Sequence, residues 1–342
     1  MENRGRRSIV APLALSIVVA LSLAACSSSN PSAAAQGATW LSSQLTAQGY
    51  IAGKSGPSYG DTAQTVVALA AAGSTASATK AANYLAAHVN DYVDGAGMSP
   101  SPTNDSASAL AELILAAYAT KTQSKFHAAS LVARLEATQQ ADGLFGTSDP
   151  TYDGVYRESS SLQALKLAGK TASDPVVAKA ITWLEGQQCS NGGFSSDAAN
   201  VPCSGSAANY QGPDTNSTAQ ALVALAAQDR PTGNGSVIAM GLQYLASNEL
   251  NDGGWGYFGA AKDASSTGLV IDALVALNKS PALTSGQWAK NGTSPMAALD
   301  ALQVKSGSSA GGFLFQAGAK KPEVLATEQA IPAVAGAKLP IG

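Results

Sequence analysis

Histidine and charge are both scarce in this chain of 342 residues. His88 and His127 are its only histidines, and charged residues make up 13% of it. Neither histidine has a cysteine or carboxylate cluster around it, so no zinc ligand set can be assembled. Its 20 basic residues, against 23 acidic ones, form no patch in the body of the chain, so nucleic acid is not expected as a partner. Aromatics are 6% and cysteines number three. What remains is dominated by Ala, Gly, Ser, Thr and Leu, a composition suited to closely packed helices with small interface residues.

One long hydrophobic run stands at the start. Arg4, Arg6 and Arg7 precede an apolar stretch from Ile9 to Leu23, which is short for a membrane span and has the form of an export leader. Leu23-Ala24-Ala25-Cys26 resembles a bacterial lipobox, and the polar Ser27-Ser28-Ser29-Asn30 follows as a tether. The expectation is a signal peptide over 1–25, a lipidated Cys26 with a flexible tether over 26–37, and a folded domain over 38–342. The protein would then sit on the extracytoplasmic face of the membrane, with the membrane as partner through Cys26. In that oxidising compartment Cys189 and Cys203 are expected to pair, two separate buried thiols being the alternative. A disulfide there would contribute about 3 kcal/mol in the chain-entropy model.

A repeat dominates the remainder. A small polar residue opens an apolar, Ala-rich helix at Asp61-Thr62-Ala63-Gln64, Asp105-Ser106-Ala107, Ser160-Ser161-Leu162-Gln163, Ser217-Thr218-Ala219-Gln220, Ser266-Thr267-Gly268 and Ala326-Thr327-Glu328-Gln329. The period is roughly 50 residues, in the range of helical-pair repeats. Between these copies lies an amphipathic helix, often with an aromatic-Leu pair such as Trp40-Leu41, Tyr84-Leu85, Trp183-Leu184 or Tyr244-Leu245. Several copies end in a Gly-aromatic turn, as in Gln187-Gln188-Cys189-Ser190-Asn191-Gly192-Gly193-Phe194. Helices apolar nearly all round belong inside, and amphipathic ones outside. The predicted fold is all-α, an α/α toroid of about six inner and six outer helices, preferred over an open solenoid. Pro332 degrades the last copy and makes closure the point to check.

The Gln…Gly-Gly-Phe/Trp turn followed by Thr-Ala-Gln-x-Leu resembles the repeat of the terpenoid cyclase and protein prenyltransferase toroid superfamily, over almost the whole of the chain past the leader. That resemblance implies a fold more than a function, because members run different chemistries on one scaffold. Hopene-type cyclases protonate an alkene with Asp-x-Asp-Asp-Thr-Ala. The aligned run here is Asp214-Thr215-Asn216-Ser217-Thr218-Ala219, with Asn216 at the acid and Ser217 at the next Asp. Prenyltransferases hold a zinc with Asp, Cys and His, which this chain does not assemble. Complement-like thioesters need Gly-Cys-Gly-Glu-Gln, and Gly186-Gln187-Gln188-Cys189 has another order.

The leading expectation is therefore a non-catalytic envelope lipoprotein, similar in kind to the toroid domain of cobalamin carriers. It would bind a corrinoid or another flat hydrophobic molecule at the ring mouth, with an envelope partner supplying any clamp. No metal or resident cofactor is expected beyond such a corrinoid or isoprenoid-like ligand. Candidate ligand contacts, at or near inner-helix N-termini, are Tyr59, Asp61, Asp105, Tyr156, Glu158, Tyr210, Asp214, Asn216, Gln220 and Asp263. Helix capping is the competing role for Asp61, Asp105 and Asp214, worth about 1 kcal/mol each. The alternative is a terpenoid cyclase or prenyltransferase-like enzyme with relocated acids, which requires a deep apolar pocket holding a carboxylic acid of strongly raised pKa. A protein-binding scaffold is the third reading. Ser159, Ser160 and Ser161 have no neighbouring His or Asp in sequence to form a nucleophile relay.

Overall fold

The computed structural model describes residues 29–95, 105–146, 154–195, 203, 212–259 and 261–342. The leader, Cys26 and Tyr210 lie outside the described residues. In chain order, outer and inner helices alternate: α1 (Pro31–Gln44) outside and α2 (Tyr59–Ala71) inside; α3 (Thr75–Ala87) outside, followed by the short α4 (Val89–Gly95), and α5 (Ala107–Ala119) inside. Then come α6 (Ala128–Ala137) and α7 (Gly154–Leu167), α8 (Pro175–Gly186) and α9 (Thr215–Ala227), α10 (Val237–Ser247) and α11 (Ala264–Ala276), and α12 (Pro295–Asp300) and α13 (Val324–Ala335). α1 starts at Pro31, with Asn30 as its cap, inside the stretch read from the sequence as tether.

Each inner helix packs on the next, and α13 packs back on α2. The ring is closed, despite Pro332 within α13. The outer helices show why their sequence reads as amphipathic. α3 buries Ala78, Ala81, Ala82 and Leu85, and α6 buries Ala128, Leu131, Val132 and Leu135. Both sets follow i, i+3, i+4, i+7, one apolar stripe on a 3.6-residue helix. α11 by contrast is buried at every residue. Gly268 permits its close approach to α13, since a Cβ there would lie 2.5 Å from the Gln329 carbonyl oxygen.

The turns after the outer helices fasten neighbours together. Gly311 has φ +95°, and a Cβ on it would lie 2.1 Å from the Gln36 carbonyl oxygen in α1, so the last turn abuts the first helix. Two short antiparallel ladders sit at inner-helix entrances: β1 (Ile51–Ala52) with β2 (Pro57–Ser58), and β3 (Phe194–Ser195) with β4 (Pro213–Asp214). Cys189 and Cys203 are bonded, with Cα atoms 5.5 Å apart, so the expected pairing is present.

The recurring threonine now has a physical reason. Its Oγ1 accepts from the backbone N–H of the turn aromatic or aliphatic: Ile51 to Thr62 (3.0 Å), Phe194 to Thr218 (2.9 Å), Trp255 to Thr267 (3.1 Å) and Phe313 to Thr327 (2.9 Å). The same hydroxyl donates back to a carbonyl, as Thr218 does to Asp214 O (2.6 Å). In α7 the acceptor is Glu158 Oε2, 3.0 Å from Phe145 N. The structural register of that copy therefore runs through Glu158 rather than Ser161, three residues earlier than the sequence alignment placed it.

Candidate functional site

The ring encloses a cavity of about 180 Å³. Its wall has two layers, each with one side chain from every inner helix. Two residues after the threonine position come Gln64, Ser160, Gln220, Leu269 and Gln329, joined by Glu112 of α5. Three residues further along each helix, about 4.5 Å deeper, come Val67, Leu115, Gln163, Val223, Asp272 and Pro332. The chain after α13 supplies Leu339, Pro340 and Ile341 to the lining. This segment spans the ring, because a side-chain carbon at Gly342 would meet Leu167 Cδ2 on α7, the inner helix opposite α13.

Among the described lining residues three are acids, Glu112, Asp272 and Glu328, and none is Lys, Arg or His. Asp272 is buried, its Oδ1 has no hydrogen-bond partner among the described residues, and burial pushes its carboxyl well above the usual range. A charged carboxylate there would lose its hydration with nothing in exchange, so the neutral acid is favoured. Glu328 is likewise buried and raised, first by desolvation and then by repulsion from Asp61 and Glu112, while a hydrogen bond from Thr65 Oγ1 opposes the shift. Its Oε2 has no hydrogen-bond partner among the described residues. Glu112 Oε2 accepts from the Tyr92 hydroxyl, whose own pKa is raised by burial and then by Glu112.

The residues singled out from the sequence are dispersed. Gln220 and Tyr156 line the cavity. Asp61, on α2, accepts from Ser58 Oγ at 2.7 Å and acts electrostatically on Glu328. Tyr59 stacks on Tyr92 at 5.5 Å and on Tyr84 at 6.3 Å. Asp105 faces outward, to Arg134 of α6, with two contacts of 2.8 Å that hold its carboxyl below the ordinary range. Asp214 caps α9 through Ser217 N (2.8 Å), and Asp263 caps α11 through Ser266 N (2.6 Å). Asn216 Oδ1 accepts from Thr215 Oγ1 at 3.2 Å, and Glu158 serves the turn of Phe145. Sequence reasoning passed over Glu112, Asp272 and Glu328. Their signal was one acid inside an otherwise apolar inner helix, as in Leu269-Val270-Ile271-Asp272-Ala273-Leu274. Buried acids of that kind are rare without a reason.

Residues 81–269 match the family model described as the squalene-hopene cyclase C-terminal domain. The squalene–hopene cyclase of Bradyrhizobium diazoefficiens is 31% identical over 184 residues, covering 51% of this chain and 26% of that protein. The chain thus spans about a quarter of the length of the curated relatives it matches. Among solved structures, a type II terpene cyclase from Scytonema in complex with merosterolic acid A superposes with TM-score 0.59 at 12% identity, covering 90% of this chain and 97% of that one. An unsaturated glucuronyl hydrolase specific for heparin superposes with TM-score 0.61 at 13% identity, covering 90% and 96%. At such identities these two carry the fold alone. The family match and the cyclase relatives overturn the expectation of a non-catalytic corrinoid carrier. Its proposed contacts also fail to assemble at one mouth: Asp105 is spent on an ion pair, and Asp214 and Asp263 on caps.

Proposed function

Because this chain belongs to the family of the squalene-hopene cyclase C-terminal domain, we propose that it is a terpenoid-cyclase-like enzyme that folds an isoprenoid inside its ring. The observation that carries this reading is Asp272, a buried acid with an unpartnered oxygen in the cavity wall. Protonating an alkene takes a neutral carboxylic acid in a site that excludes water. Asp272 hands its proton to one carbon of a double bond. The π electrons form the new C–H bond, and the neighbouring carbon becomes positive. The next double bond attacks that carbon and closes a ring. The cascade ends when the last cation loses a proton to the Asp272 carboxylate or to water. In hopene-type cyclases the acid belongs to the Asp-x-Asp-Asp motif. Here Asn216 stands at that position on α9, and the role passes to the adjacent inner helix α11. Among the described lining residues there is no Lys or Arg to hold a diphosphate, which favours protonation over diphosphate departure as the first step.

The test is incubation with squalene and with shorter linear isoprenoids, followed by extraction and gas chromatography–mass spectrometry. Cyclic products are expected, lost by about 100-fold or more in Asp272→Asn. No cyclic product from any of these substrates, or an undiminished yield from the variant, would sink the proposal. On the sequence pattern of the leader we also propose that Cys26 is lipidated and holds the ring at the extracytoplasmic membrane surface, within reach of apolar substrates.

A further inference from the structure

The run Thr-x-Gln recurs in α2, α9 and α13, and the turns use only its threonine. Thr62, Thr218 and Thr327 face the outer layer, where each Oγ1 accepts from a backbone N–H. A residue two positions on stands about 200° round the helix. Gln64, Gln220 and Gln329 therefore point the other way, into the cavity. The glutamines of the outer units, Gln139, Gln188 and Gln303, spend their amides on neighbouring carbonyls. The inner three have no side-chain hydrogen bond among the described residues. Nor does the fold require an amide at this position, since α11 carries Leu269 there.

Two of these amides belong to one local group. Thr65 of α2 donates to Glu328 Oε1 of α13, and Gln64 and Gln329 are the chain neighbours of that bonded pair. Gln220 faces them across the ring from α9. Glu328 is buried, and its Oε2 has no hydrogen-bond partner among the described residues. Held neutral by burial, it offers an O–H to an oxygen in the cavity. Carboxamides both give and take hydrogen bonds, and so does a hydroxyl. An ammonium has no acceptor for the amide N–H groups, and a phosphate finds no Lys or Arg among the described lining residues. About one turn deeper the wall carries Val67, Leu115 and Val223, and past them lie Leu339 and Ile341. Asp272 stands at that deeper level.

We infer that the cavity takes an isoprenoid alcohol, with its hydroxyl at Gln64, Glu328 and Gln329 and its hydrocarbon chain running past Asp272 toward Leu339 and Ile341. The inference deepens the proposed function and rests on it for the isoprenoid nature of the chain. The hydroxyl subsite depends neither on Asp272 nor on turnover.

Geraniol, its methyl ether and the hydrocarbon with hydrogen in place of the hydroxyl share one chain and differ only in the head. Titration calorimetry of the full chain is expected to show geraniol binding about tenfold or more tightly than the ether, although the ether is the more apolar of the two. Combined Gln64→Leu and Gln329→Leu substitution keeps the approximate size of both side chains. It is expected to lower the ratio of geraniol to hydrocarbon affinity by about tenfold or more. Taking that ratio in both proteins cancels the unequal cost of drawing the two ligands out of water. Circular dichroism checks that the variant is folded, and the comparison with the ether on the unsubstituted chain decides without it. Ether binding at least as tight as geraniol overturns the inference and leaves the cyclase reading intact. So does a ratio that the two substitutions leave unmoved in a folded variant. Both expected results, with no cyclic product from any isoprenoid, uphold the hydroxyl subsite and overturn the cyclase reading alone.

Discussion

Gln303 donates from Nε2 to the carbonyl of Ala33 in α1 at 2.8 Å, across 270 residues of sequence, and to its own turn at Gly311 O at 3.0 Å. Gln139 and Gln188 do the same for their neighbours, reaching Val176 O and Val237 O at 2.8 Å each. One amide thus ties each of these outer units to the next, and Gln303 ties the last to the first. Gln303→Leu leaves two buried carbonyls short of a donor and is expected to lower stability by about 1–3 kcal/mol in urea unfolding. An unchanged midpoint would show that this amide does not hold the ring shut.

Glu249 stands where those glutamines stand, since Leu250 N donates to Gly254 O as Cys189 N does to Gly193 O. Among the described residues both of its carboxyl oxygens lack partners, and burial pushes its pKa up to about 7, with Lys290 opposing. The folded state therefore holds a proton that the unfolded chain has already released. Stability from this group is complete below the unfolded value of about 4.5 and is lost as pH rises toward 7. Glu249→Gln supplies the amide donor, should raise stability by about 1–2 kcal/mol at pH 8, and should flatten the pH profile between 5 and 7. Parallel profiles for the two proteins would contradict this.

Leu339, Pro340 and Ile341 line the cavity from outside the helical ring. Deleting residues 339–342 removes that wall and the partly buried Leu339. The expected result is a loss of about 1–2 kcal/mol and a rise in fluorescence of an apolar dye that enters the ring. If dye binding does not change, this segment does not limit access.

The bond between Cys189 and Cys203 joins residues 14 positions apart in the sequence. Reduction, or Cys189→Ser, is expected to cost about 3 kcal/mol by the chain-entropy model. Equal unfolding midpoints with and without reductant would contradict it.

If Cys26 carries a lipid, Cys26→Ser moves the protein from the membrane fraction to the soluble exported fraction. Mass spectrometry of the untouched protein should then show an acylated N-terminal cysteine. An N-terminus without acyl groups would remove the anchor.

The six-fold repeat, the two helix layers and the disulfide were all legible before any coordinates. The repeat and the layers follow from local rules: stripe width, turn glycines and a threonine in four of the six copies. The cavity acids were not legible: Glu112 and Asp272 each stand singly in an apolar helix, and Glu328 follows the repeat threonine Thr327. Asp214 looked like a site residue because it aligns with a cyclase motif, yet its oxygens are taken by Ser217 N and Ser217 Oγ. Asp105 looked much the same, and its partner Arg134 lies 29 residues away on an outer helix.

By itself the sequence determined that helices form, which are buried and which are wetted, and how often the pattern returns, because those properties depend on residues three or four apart. Only the tertiary structure decided that Glu112, Asp272 and Glu328 point into one space while Asp105 points away. The direction a buried side chain takes is set by the rotation of its helix against both neighbours, and each of those neighbours is held in turn by the closure of the whole ring.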